Sequence, residues 1–373
     1  MDFGLKATFS CANNESITGR YAEFVVTGAN SKVTATLVDG GDYAETIWNE
    51  YPNEKKEIYS ELQSSNYTLI QDDYTAIIPA GFAYGTSANV GTIANGLVIT
   101  DNVDENGNSI GNEFVWIPVD KDNLTVGKTN KKIAELQGEG SSDYRGVLYD
   151  WNTDVTGNTR IQFNSNGYRE PDVINYDLDG YSDRGITETT MKNSYNAMIA
   201  SVKQYGGFYA GRYELGLGND FSKVAVVPAS SRDNETYIWY GLYSKANSYN
   251  KSGVTSQMIW GSQYDAILNF ALTNSTDSSK INSNQNGNHS GKIKTGVALR
   301  DKMVNICDIE GNMLEWTQEA HLTNSRVIRG GSGEVWTNPI WRSYDYPPTT
   351  VEDSYYHIPY YCNGSRMTLY INL

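Results

Sequence analysis

The sequence is poor in the residues that usually announce chemistry. Three cysteines (Cys11, Cys307 and Cys362) and three histidines (His289, His321 and His357) are spread over 373 residues. An odd, sparse set of cysteines is not a disulfide framework; one bridge is compatible with it, and spacing does not say which pair. No histidine pair has zinc spacing, and each histidine falls on an expected loop. There is no Gly-rich loop ending in Lys-Ser/Thr to cradle phosphates, and no Gly-x-Ser-x-Gly elbow. Carboxylates sit side by side, as at Glu352-Asp353, but adjacency alone does not make an acid/base pair. No apolar run reaches the roughly 18 residues of a membrane-spanning helix, so direct membrane insertion is not expected. The start, Met1-Asp2-Phe3-Gly4, lacks the basic and apolar regions of a signal peptide; an export signal or anchor removed upstream is compatible with it.

Positive charge is also short. Lys and Arg number 29 against 44 Asp and Glu, a net charge of -15. A field of that sign repels phosphate backbones, so nucleic acid is excluded as a direct ligand. The acidity fits a solvated surface, with calcium loops as a further use for part of it.

What is present is a globular composition, 39% hydrophobic and 20% charged. The length suits one large domain plus a small one. The ring-bearing residues are mostly 28 Tyr and 8 Trp, against 9 Phe. Tyr carries a polar tip, so such a chain can expose rings to a partner without losing solubility.

The texture changes near residue 73. Residues 1–73 read as a small β-rich unit, with strands at Ala22–Val26 and, by alternation, Lys32–Val38, and a short helix through Glu54–Leu62. Residues 74–373 read as one larger α+β domain of short strands and Gly/Asn/Ser turns. Gly96–Thr100 and Glu113–Val119 are expected strands, with Pro118 marking an edge or an end. The best helix is Thr187–Tyr205: Thr187 caps it, Met191, Tyr195, Met198, Ile199 and Val202 recur at three- and four-residue spacing, and Gly206-Gly207 stops it. A second helix is expected over Ser256–Leu272, burying Ile259, Trp260, Ala266, Ile267 and Phe270. Residues 273–292 read as a long solvated loop.

Five segments then occur in a telling order. They are Ile78-Pro79-Ala80-Gly81-Phe82, the stretch from Gly206 to Glu214, the stretch from Cys307 to Thr317 with Gly311-Asn312-Met313-Leu314-Glu315-Trp316 at its heart, Arg326 to Ser332 with Gly330-Gly331-Ser332, and Asn363-Gly364-Ser365-Arg366-Met367. Together they span residues 76–373 and resemble the formylglycine-generating-enzyme/sulfatase-modifying family, which implies a C-type-lectin-type fold for 74–373. The motif residues read as scaffold. Gly311-Asn312 suits a tight turn, Glu315-Trp316 buries a ring while its carboxylate finds backbone donors, and Gly330-Gly331 permits a close approach or a bulge. The family's enzyme places two cysteines between the Gly-Gly-Ser motif and the final strand. Here Gly333 to Tyr344 contains none, and neither Cys307 nor Cys362 matches that pair. A thiolate–copper site needs its sulfurs together, so the resemblance implies the scaffold without the oxidase chemistry.

The C-terminal stretch has a different signature. Six of the 19 residues from Ser343 to Tyr361 are Tyr, far above the chain's average, with Ser, Asp and His among the rest. Tyr offers large contact area with few torsions to freeze, and Ser and Asp add adaptable hydrogen bonds. Pro347-Pro348 and Pro359 stiffen the presentation. The stretch reads either as a binding surface or as a Tyr-rich cap over the last strands. It is also similar in layout to variable proteins of diversity-generating retroelements, where adenine-directed change of Asn codons yields Tyr, Asp, His and Ser. That resemblance implies a phage receptor-binding protein or bacterial surface adhesin, located outside the cell, at its surface or on a phage particle, with a protein or glycan on a cell surface as ligand. The expected face is Trp336, Trp341, Tyr344, Asp345, Tyr346, Tyr355, Tyr356 and His357, and the expected function is non-enzymatic binding. Two alternatives stand beside it: an oxidase-like or other enzyme on the same fold using Cys307 or Cys362, and a structural pilus or tail subunit.

No cofactor is required by this reading, although one loop has the front half of a calcium site. Asn175, Asp177, Asp179 and Asp183 occupy positions 1, 3, 5 and 9, with Gly180 at position 6. Ile186 stands where the bidentate Glu belongs, and a solvated Asx-rich turn is the competing reading. Asp104, Asn106 and Asn108 form a weaker set.

Overall fold

The computed structural model describes residues 7–10, 16–19, 34–37, 57–119, 161–163, 168–171, 185–230, 238–274, 292–297, 302–321, 325–332, 339, 342–345 and 363–373. The chain divides into two compact units, Met1–Lys56 and Glu57–Leu373. The change of texture near residue 73 therefore falls inside the second unit, where Asp72 and Asp73 form the turn of a hairpin. In the first unit, β1 (Ala7–Ser10) lies between β2 (Ser16–Gly19) and β3 (Thr34–Leu37) in an antiparallel sheet. β3 is the strand that alternation marked over Lys32–Val38. The Ala22–Val26 strand lies outside the described residues.

The second unit is α+β. The hairpin β4 (Tyr67–Gln71) and β5 (Tyr74–Ile78) stands beside a sheet ordered β12-β17-β11-β8-β7-β6, formed by β6 (Ala83–Tyr84), β7 (Val98–Thr100), β8 (Glu113–Pro118), β11 (Gly207–Gly211), β12 (Val254–Met258) and β17 (Met367–Ile371). Another sheet runs β15-β14-β13-β10-β9, formed by β9 (Ile161–Phe163), β10 (Tyr168–Glu170), β13 (Leu314–His321), β14 (Ser325–Arg329) and β15 (Ser343–Asp345), with β16 (Asn363–Ser365) also on β13. Among the described residues every strand pairing is antiparallel except that of β13 with β16.

Three helices complete the described part. α1 (Glu188–Tyr205) forms as its sequence dictates. Thr187 and Thr190 make a reciprocal capping box, Met191, Tyr195, Met198, Ile199 and Val202 are buried, and Gly206 ends it in the left-handed conformation at φ 77°. α2 (Trp239–Ala246) carried no clear sequence signal; it begins at Ile238 without a side-chain cap and is held by burial of Trp239, Tyr240 and Leu242. α3 (Gly261–Asn274) corrects the expected Ser256–Leu272 helix at its start, because Val254–Met258 is a strand. β12 pairs with β17 from Val254↔Ile371 to Met258↔Met367, and that ladder satisfies the backbone better than an isolated turn of helix.

The helix expected over Glu54–Leu62 is likewise not seen where that segment is described. Tyr59 N donates to Gly107 O at 2.9 Å and Ser60 N to Tyr84 O at 2.9 Å, so long-range pairing overrides local propensity. α3 touches β13 of one sheet and β8 of the other, and its buried side, including Tyr264, Ile267 and Leu268, belongs to one hydrophobic core with Trp116, Trp260 and Trp316. No helix among the described residues is long and apolar enough to cross a membrane.

Candidate functional site: a charged frame at the root of the C-terminal stretch

β13 is the centre of its sheet, and all eight of its residues are buried. Four of them, Glu315, Thr317, Gln318 and Glu319, are polar or charged and fully inaccessible. Buried polar atoms are tolerated only when partnered, so these four dictate what must surround the strand.

Glu315 is met by Arg366, which links the two closing strands. Arg366 Nη2 donates to Glu315 Oε1 at 2.5 Å and Nε to Oε2 at 3.2 Å, while Nη1 reaches Gly211 O at 2.9 Å and Nη2 reaches Cys307 O at 2.8 Å. Backbone donors are expected for the Glu315 carboxylate from sequence; its partner is instead the guanidinium of Arg366, two motif segments further along the chain. Burial pushes the Glu315 carboxyl above the ordinary carboxylate range, and the Arg366 charge opposes that rise. Thr317 Oγ1 donates to Val327 O at 3.0 Å, and Gln318 Nε2 to Met258 O at 2.5 Å.

Glu319 belongs to a second network. Arg342 Nε donates to both its oxygens, at 2.9 and 3.1 Å, and Arg342 Nη2 donates to Asp265 Oδ2 on α3. Asp265 Oδ1 accepts from Arg329 Nη1 at 2.8 Å, and Arg329 Nη2 donates to Pro339 O at 3.3 Å. The Arg329 guanidinium also lies 4.5 Å from the Tyr264 ring centroid. The four charged side chains are at most 2% exposed. A third carboxyl, Glu170, accepts from Tyr195 Oη at 3.1 Å and from the Ser262 backbone N–H at 3.3 Å. Burial, and then the nearby Glu319 charge, raise the Glu170 carboxyl well above its ordinary range. Gly261 makes room for this group of acids: a Cβ there would stand 1.9 Å from Glu319 Oε2.

The Gly311–Trp316 motif is scaffold in the structure too. Asn312 takes the left-handed conformation at φ 66°. Its Nδ2 donates to Glu214 Oε2 at 2.6 Å and its Oδ1 accepts from Ile293 N at 2.8 Å, while Met313 N donates to Glu214 Oε1 at 3.0 Å. Trp316 is 2% exposed. Gly330 serves a close approach, since a Cβ there would lie 2.9 Å from Ile309 O; the irregularity in the ladder falls instead in β13, between Trp316 and Ala320.

Of the expected binding residues, Tyr344 and Asp345 lie on β15, the outermost strand of its sheet among the described residues, where Tyr344 pairs with Val327 and Asp345 with Arg326. Trp336, Trp341, Tyr346, Tyr355, Tyr356 and His357 lie outside the described residues, as do Asn175, Asp177, Asp179 and Asp183 of the expected calcium loop. The weaker oxygen set is an Asx turn: Asp104 Oδ1 accepts from the backbone N–H groups of Asn106 and Asn108 at 2.9 and 2.8 Å, and its other oxygen accepts from Asn108 Nδ2. Among the described residues no three of His, Cys, Asp and Glu are grouped to hold a metal ion. His321, expected on a loop, ends β13 instead and is buried, opposite Tyr168.

The residues missed by sequence reasoning are Glu170, Asp265, Glu319, Arg329 and Arg342. Their only signal was charge inside otherwise apolar segments, as with Asp265 in the run Tyr264-Asp265-Ala266-Ile267-Leu268. Compared with protein-family models, with curated proteins and with solved structures, the chain finds no match in any of the three.

Proposed function

We propose that this chain is a non-enzymatic ligand-binding protein. Its second unit is a lectin-type scaffold of the formylglycine-generating-enzyme/sulfatase-modifying kind, and its Tyr-rich C-terminal stretch is the binding face. The ligand is a protein or glycan on a cell surface, met by a phage receptor-binding protein or a bacterial surface adhesin whose face a retroelement diversifies.

The observation that carries this reading is the position of β15. It leads into the Tyr-rich stretch from the outermost described strand of a sheet whose interior is fixed by buried ion pairs. A binding face that must tolerate change needs support that does not depend on its own residues, and rigid elements supply it. Two further observations favour binding over thiol chemistry. Cys307 is 1% exposed, which is poor access for a nucleophile. The Glu315 and Glu319 carboxylates are engaged by arginines.

The test uses the full chain, labelled and applied to a glycan array, to an array of bacterial surface proteins and to whole cells. The parent should be retained on a defined subset, and Tyr344→Ala with Asp345→Ala should weaken retention by roughly 30-fold, the scale of a lost anchor. Retention of that variant equal to the parent's on every positive spot would remove the face from the binding reaction.

A further inference from the structure

Among the described residues β15 is three residues long and makes three ladder pairs, Ile328↔Ser343, Val327↔Tyr344 and Arg326↔Asp345. A ladder of three pairs sets its own register weakly, and a slip of one residue turns every side position of a strand to the opposite face of its sheet. The residue immediately before it is Arg342. Its guanidinium is held on two sides, by Glu319 of β13 through Nε and by Asp265 of α3 through Nη2. Slightly upstream, the Pro339 carbonyl accepts from Arg329, which shares Asp265 with Arg342. A slip of one residue moves a strand by about 3.3 Å. That is more than the tolerance of the 2.9 and 3.1 Å contacts of Nε, so a slipped strand would pull the arginine off Glu319 and Asp265 inside the buried frame.

We propose that Arg342 is a positioning residue that locks the register of β15 against β14 and thereby fixes where the Tyr-rich stretch leaves the sheet. The inference rests on the binding-face reading for its purpose, but the lock itself is independent of any ligand. The acids that hold the arginine come from a helix and a central strand, and neither belongs to the C-terminal stretch. Substitutions beyond Asp345 can therefore change what the face says without changing where it begins.

Cysteine pairs read the register directly. Val327→Cys with Tyr344→Cys places two thiols opposite each other in the observed ladder; Val327→Cys with Ser343→Cys places them opposite only after a one-residue slip. Each pair is oxidised and the specific cross-linked peptide is counted by mass spectrometry. With Arg342 intact, the first pair should bridge and the second should stay open. Adding Arg342→Met, which keeps length and loses charge, should raise bridging of the second pair at least tenfold. Arg342→Lys should fall between, since one ammonium cannot serve both acids in the arginine's fork geometry; it also carries the test if the methionine variant fails to fold. Bridging of the first pair alone in both variants overturns the lock. Slipped bridging in a variant that still binds the arrays like the parent keeps the lock and removes the binding-face reading.

Discussion

Arg366 and Glu315 pair across the junction of two sheets, with Nη2 2.5 Å from Oε1 and neither side chain accessible to solvent. Glu315 sits on the central strand of one sheet, and Arg366 sits between β16 of that sheet and β17 of the other. The same guanidinium collects the Gly211 and Cys307 carbonyls. One side chain therefore ties the first strand after α1, the turn before the Gly311 motif, where Val304, Asn305 and Asp308 take positive φ, and the last strand together.

Removing one partner should be costly because it strands the other charge. Glu315→Gln and Arg366→Met are each expected to lose about 3–5 kcal/mol, while the variant carrying both substitutions should lose clearly less than the sum of the two. Chemical denaturation of the three variants, analysed as a double-mutant cycle, checks this; additive losses would show that the two side chains act separately.

Glu170 gives a pH signature of opposite sign to the usual paired carboxylate. Its folded-state pKa is raised, by burial first and by Glu319 second, so the native state holds the proton more tightly than the unfolded chain. Stability from this group is fully present below the ordinary carboxyl range, near 4.5, and is lost as pH rises toward its folded value. Glu170→Gln, which cannot ionise, should melt like the parent near pH 4 and increasingly above it as pH rises to 9. Thermal melts across that range decide the matter. A constant gap between the two proteins would mean that folding leaves the Glu170 pKa unchanged.

The parts of this fold that were legible in the sequence are those set by local rules. α1 announced its cap, its buried stripe and its stop, and β8 and β7 read as apolar runs. The scaffold role of Gly311–Trp316 was legible because a left-handed Asn and a buried Trp leave local marks. The charged frame was not. Asp265 meets Arg342 and Arg329 only after α3, β14 and the approach to β15 have converged, and nothing in the spacing of residues 265, 319, 329 and 342 foretells it. The same long-range pairing misled the reading of Val254–Met258, whose strand exists because β17 lies beside it.

Gly261 is a point where that frame can be broken without touching a charge. Gly261→Ala would put a methyl group 1.9 Å from Glu319 Oε2, 2.6 Å from its carboxyl carbon and 2.9 Å from its Cβ. Alanine is the better helix former, so propensity alone predicts a gain. The close approach wins, because Glu319 must withdraw from Arg342 to admit the methyl group. A net loss of about 1–3 kcal/mol is expected, the usual cost of overpacking. If Gly261→Ala matched or exceeded the parent's melting temperature, Glu319 would have room to move that the geometry denies.

The sharpest separation between frame and face comes from two aromatic substitutions made in parallel. Trp316 is buried at the centre of β13, and truncating it to Ala empties a core site at about 3–5 kcal/mol. Tyr355 and Tyr356 are proposed to belong to the face, where truncation shifts stability by about 0.5 kcal/mol and an anchor is worth about 2 kcal/mol or more in binding. Trp316→Ala should therefore lower the melting temperature sharply and lose binding only through unfolding, so that its folded fraction at low temperature still binds. Tyr355→Ala with Tyr356→Ala should melt like the parent and fail on the arrays at every temperature. Melts and array retention are measured on the same preparations. A double Tyr variant that melts far below the parent would make those rings part of the core, and the Tyr-rich stretch would then be a cap over the last strands, with no face to present.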